Sequence, residues 1–145
     1  MKTVGIVVLV LVLLGGAGCG GSSSSTTAPS TTPATSTELF SGSLAVQSSS
    51  FYSFTVAQTG TISVTMASLS VPSGGPASPA SPLVVGLGIG SPSGTGCAVS
   101  TSVNTAASFT TQVTMAATAN TYCVNISDIG NLTVPLNFAI RIVHT

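Results

Sequence analysis

Charge is almost absent from this chain. Charged residues make up 3% of its 145 positions, against roughly 25% in an average globular protein. They are Lys2, Glu38, Asp128 and Arg141, and His144 is the single histidine. Tryptophan is missing altogether. Without a basic patch the chain has nothing to offset phosphate charge, so nucleic acid is not an expected partner. Calcium needs several oxygen ligands with carboxylates among them, and only Glu38 and Asp128 exist. Cys97, Cys123 and His144 lack structural-zinc spacing. No metal and no cofactor are therefore expected.

Catalysis finds little support. A paired-carboxylate mechanism needs its two acids about 5–9 Å apart, and nothing in the sequence joins Glu38 to Asp128. A Ser-His-Asp triad is arithmetically available, but no Gly-x-Ser-x-Gly elbow leads into a helix. His144 is penultimate, where chains fray, and is expected to be a solvated tail residue. The run Gly86-Leu87-Gly88-Ile89-Gly90 enters no helix either. It suits a strand with one bare face, which a neighbouring segment can approach closely. No catalytic residue is assigned, and the chain is not expected to be an enzyme.

Apolar residues are plentiful. The chain is 43% hydrophobic with a mean hydropathy of +0.67, so it can build a core. Its surface must then consist largely of hydroxyls, amides and backbone. The near-zero net charge favours self-association, which a tethered protein tolerates better than a freely diffusing one.

The N-terminus reads as an export signal. Lys2 is a positive n-region, and Val4 to Leu14 is an apolar stretch of eleven residues broken only by Gly5. That is too short for a transmembrane helix, which needs about 20. Gly16-Ala17-Gly18 then place small residues before Cys19. The arrangement resembles the lipobox of bacterial lipoproteins, in which the cysteine is lipidated and becomes the first mature residue. Gly16 stands where that pattern usually has Leu. The alternative is an ordinary secretory cut near Ala17. Two or three acyl chains on Cys19 would anchor stably where one would not. Gly20 is not the aspartate that retains such lipoproteins at the inner membrane, so the resemblance implies the outer membrane.

Residues 19–37 form a tether after the signal at 1–18. Twelve of the sixteen residues from Ser22 to Thr37 are Ser or Thr, and nothing there can bury apolar surface, so disorder is expected. Its reach is about 25 Å as a flexible coil and up to about 60 Å extended.

From residue 38 to 145 the apolar period is two. Tyr52, Phe54 and Val56; Ile62, Val64 and Met66; Leu83, Val85, Leu87 and Ile89; Phe109, Val113 and Met115; Tyr122, Val124 and Ile126; and Leu136, Phe138, Ile140 and Ile142 form six stripes. Leu39–Val46 and Cys97–Thr101 are weaker candidates. About eight short strands predict an all-β domain, a jelly-roll-like antiparallel β-sandwich. Pro72–Pro82 is expected as an exposed loop. Gln58-Thr59-Gly60 and Asp128-Ile129-Gly130-Asn131 are expected as turns, with the Asp128 carboxylate accepting from nearby backbone amides. In an exported protein Cys97 and Cys123 most simply pair as a disulfide, on an outer face or edge, although two free thiols are the alternative.

Phe40-Ser41-Gly42-Ser43-Leu44, Phe51–Val56, Gly60–Val64, Asn120–Val124 and Phe138–Ile142 together look like the bacterial pre-peptidase C-terminal domain. The resemblance spans most of residues 38–145. It implies a jelly-roll-like sandwich without catalysis of its own, often trailing a secreted hydrolase and serving binding or secretion. Here the domain is expected to be the whole mature cargo, with no enzyme domain before it, and Ser81-Pro82-Leu83-Val84 stands where many relatives carry acids before the fourth strand.

The expected role is structural or adhesive, through contact with an envelope protein or polysaccharide, with the membrane engaged by the N-terminal lipid. A carbohydrate-binding module is the alternative, and a hydrolase a distant one. Sugar sites on sandwiches use exposed aromatics. Tyr52, Phe54, Phe109, Tyr122 and Phe138 fall on the inward parity, which leaves Phe51 and Phe40 as possible ligand contacts.

Overall fold

The computed structural model describes residues 32–72 and 82–145. The signal peptide, Cys19, the tether up to Thr31 and most of the Pro72–Pro82 loop lie outside the described residues. Eight strands follow in chain order: β1 Ser36–Leu44, β2 Ser49–Val56, β3 Gly60–Ser70, β4 Val85–Ser93, β5 Gly96–Thr105, β6 Val113–Ala117, β7 Asn120–Ser127 and β8 Leu136–His144. All pairings are antiparallel. No helix occurs among the described residues.

The strands form two four-stranded sheets, β1-β8-β3-β6 and β2-β7-β4-β5. Only the β4–β5 hairpin stays within one sheet, and every other connection crosses to the opposite one. This is the jelly-roll order. The hairpin turns at Gly94, whose φ of +56° lies in the left-handed region that glycine enters freely. The alternation then does the packing. Phe54 and Val56 from β2, Ile62, Val64 and Met66 from β3, Val85, Leu87 and Ile89 from β4, Val124 and Ile126 from β7, and Leu136, Phe138, Ile140 and Ile142 from β8 are all buried between the sheets. Sheets packed this way interdigitate their inner side chains across about 10 Å.

Several expectations shift. β1 starts at Ser36, slightly before Glu38, and both weak candidates are full strands. The stripe at Phe109 breaks, because β6 begins only at Val113. Residues 106–112 are a loop fastened to β3: Ser108 N donates to Met66 O, Gln112 N donates to Val64 O, and the Gln112 side chain bridges Met66 N and Ala106 O. Phe109 sits on that loop and is 95% exposed, not inward. Parity has no meaning where the backbone is not extended.

His144 is also not a frayed tail residue. It ends β8 and is 3% exposed. The next residue is clamped on the β2–β3 turn, since Ala57 N donates to Thr145 O and Thr145 Oγ1 donates to Gln58 O. Arg141 faces outward from β8, a strand flanked by β1 and β3.

Candidate functional site

Glu38 on β1, His144 on β8 and Tyr52 on β2 form a cluster that links the two sheets. His144 Nε2 lies 2.9 Å from Glu38 Oε1, and Tyr52 Oη donates to Glu38 Oε2. An ionised carboxylate only accepts, so His144 Nε2–H donates to Glu38 Oε1. Burial raises the Glu38 pKa, but the hydrogen bonds from Tyr52 and His144, with the His144 charge, outweigh it and leave it below its usual value. The hydrogen bond to Glu38, its negative charge and burial raise the Tyr52 pKa. The His144 ring lies 5.0 Å from the Phe54 ring, tilted by 34° to it. These contacts make the cluster a fastening between the sheets.

Asp128 belongs to a different end. Its Oδ1 accepts from the backbone N–H of Gly130, Asn131 and Leu132, as the sequence predicts. Its Oδ2 also accepts from Gln47 N at 2.7 Å, in the β1–β2 turn. The Gln47 bond, opposed by a little burial and joined by the three other amides, lowers the Asp128 pKa. Glu38 lies near the start of β1 and Gln47 beyond its end, so strand rise alone puts the two carboxylates about 20 Å apart. The structure therefore joins them neither as an acid pair nor, through His144, as a triad. Among the described residues no group of three His, Cys, Asp or Glu could hold a metal ion.

Of the two candidate contact residues, Phe40 is half-buried. Its ring lies between Tyr52, at 5.5 Å, and Phe138, at 4.9 Å, so it packs on the core instead of standing open. Phe51 is 37% exposed and points away from the core, because its neighbours Tyr52 and Ser50 take the inward parity.

Phe51 leads to a site the sequence reading missed. On the outer face of the β2-β7-β4-β5 sheet, Phe51 pairs with Asn125, Asn125 with Gly88, and Gly88 with Ser102. The adjacent row runs Ser49, Ser127, Gly86 and Asn104. The next runs Ser53, Cys123, Gly90 and Val99. The three glycines face outward while Val85, Leu87 and Ile89 fill the core. A groove of about 270 Å³ lies over Gly86 and Gly88, walled by Asn104, Asn125, Ser102, Ser127, Val99 and Ile129. A Cβ at Gly86 would meet Ser127 Oγ at 2.6 Å, and one at Gly88 would meet Val99 Cγ1 at 2.6 Å. The bare strand lets the Ser127 and Val99 side chains lie close above it.

At Gly90 the close approach is by backbone. A Cβ there would lie 2.0 Å from Ala98 O. The β4–β5 register shifts between Ile89 and Gly90, and this bulge folds the start of β5 over β4 toward β7. Cys97 and Cys123 thereby come to 5.9 Å Cα–Cα and form the expected disulfide across Gly90, on the outer face. It closes one end of the face. A second cavity of about 160 Å³ is lined by Pro82, Leu83, Leu132, Val134 and Leu136 among others. No family model matches the chain, and no curated protein matches it.

Proposed function

We propose that this is a lipid-anchored, non-catalytic contact protein of a bacterial envelope, exported and held through Cys19 at the outer membrane. The disulfide-bonded sandwich would stand off the membrane on its Ser/Thr-rich tether and meet an envelope polysaccharide or protein. The observation that carries the role is the outer face of the β2-β7-β4-β5 sheet, an uncharged groove lined by amides, hydroxyls and a bare strand. Glu38, Tyr52, His144 and Asp128 are engaged in holding the fold, which supports contact over chemistry. The resemblance to the pre-peptidase C-terminal domain supports the same reading. So does the order of signal, small residues, Cys19 and polar tract.

Fractionation of bacterial cells expressing the full chain tests the proposal. The protein is expected in the membrane fraction, resistant to a high-salt wash, and Cys19→Ser is expected to move it to the soluble fraction. A wild-type chain that is soluble from the outset would overturn the anchoring.

A further inference from the structure

We infer that the groove over Gly86 and Gly88 binds an uncharged glycan, with Phe51 as stacking platform and Asn125 and Asn104 as the hydrogen-bonding groups. The inference rests on the contact reading above and names its ligand. The groove is slightly smaller than the roughly 300–1,000 Å³ of typical small-molecule sites, which suits one sugar unit of a chain lying across it.

The lining selects the chemistry. None of its side chains is ionisable. Each asparagine offers one acceptor and two donors, and each serine both donates and accepts. Neighbouring sugar hydroxyls do the same, so amides and hydroxyls match them group for group. An anionic polymer would find no cation there, because Arg141 lies on the outer face of the other sheet, opposite Leu39 and Thr65. A protein partner is expected to bury an apolar centre, whereas the apolar lining here is Val99 and Ile129 beside Leu87, whose side chain is buried in the core. Among the described residues, no side-chain hydrogen bond uses Asn104, Asn125, Ser102 or Ser127. Their polar groups are available to a ligand.

Phe51 completes the arrangement. It lies directly across from Asn125 on the same face, where paired Cβ atoms sit about 5 Å apart. Its flat apolar ring is beside the amide that would fix a sugar's hydroxyls. The alternating apolar C–H and polar O–H faces of a pyranose meet both at once.

The test uses the full chain in detergent on an array of neutral and acidic oligosaccharides, with hits measured by titration calorimetry. Binding to neutral glycans, little changed by added salt, is expected. Phe51→Ala and Asn125→Ala are each expected to weaken it by about tenfold, and Phe109→Ala, on the 106–112 loop, to leave it unchanged. Ser102→Phe, at an exposed position of the edge strand, is expected to block the groove without touching the core, which keeps the test decisive if Asn125→Ala misfolds. Binding only to acidic chains, no glycan bound, or neutral binding that survives both Phe51→Ala and Ser102→Phe would overturn the assignment. A protein cross-linked in cells through position 51, with no glycan bound, would overturn it too while leaving the contact reading standing.

Discussion

Glu38 receives hydrogen bonds from Tyr52 and His144 across the meeting of β1, β2 and β8. Asp128 receives four from the amides of Gln47, Gly130, Asn131 and Leu132. Both carboxylates are held below their ordinary pKa values, 4.5 and 3.8 respectively. A depressed folded-state pKa gives stability that is fully present above the unfolded value and lost as pH falls through the folded one. The thermal midpoint is therefore expected to hold steady near neutrality and decline in acid, followed by circular dichroism from about pH 7 to about pH 3. Glu38→Gln and Asp128→Asn are each expected to flatten part of that decline. Tyr52 has the opposite sign. Its raised pKa gives stability present below 10.0 and lost as pH climbs through the higher folded value. Tyr52→Phe is expected to lower the midpoint at neutral pH and to reduce the alkaline loss.

At the scale of elements, two glycines on one strand answer differently to the same change. A methyl at Gly90 meets the Ala98 carbonyl, a backbone atom that the bulge and the disulfide hold in place. Gly90→Ala is expected to cost about 1–3 kcal/mol. A methyl at Gly86 meets chiefly the Ser127 hydroxyl, which can rotate away, so Gly86→Ala is expected within about 0.5 kcal/mol of wild type. Urea denaturation of the two variants separates these cases. Removing the disulfide with Cys97→Ser and Cys123→Ser is expected to cost about 2–4 kcal/mol, given the 26-residue separation it closes. Mass spectrometry with and without reductant checks the bond itself.

The strands were legible in the sequence because an apolar period of two is a direct imprint of a sheet with one buried face. The disulfide followed from the expectation of export, which pairs the two cysteines left after Cys19. Alternation says which side of a strand is buried, but not which strand lies beside it. The row Phe51, Asn125, Gly88 and Ser102 comes from four separate strands through register alone, so the groove left no local signal. The bare glycine face did hint at a close approach, and Phe51 lies on that same outer face. Phe109 misled because apolar spacing carries across a loop as readily as along a strand. His144 misled because burial at a strand's last residue depends on Thr145 and the 57–60 turn, a contact distant in sequence.

At the scale of the whole molecule, the near-absence of charge, the proposed export signal and the small sandwich support one account. An uncharged surface has little electrostatic repulsion to keep copies apart. A lipid anchor would limit encounters between copies. Intact mass spectrometry of the full protein extracted from bacterial membranes tests this most directly. A mass beginning at Cys19 and carrying acyl chains, absent from the Cys19→Ser protein, is the result this account predicts. A lipid-free mass cut near Ala17, with a free thiol at Cys19, would contradict it.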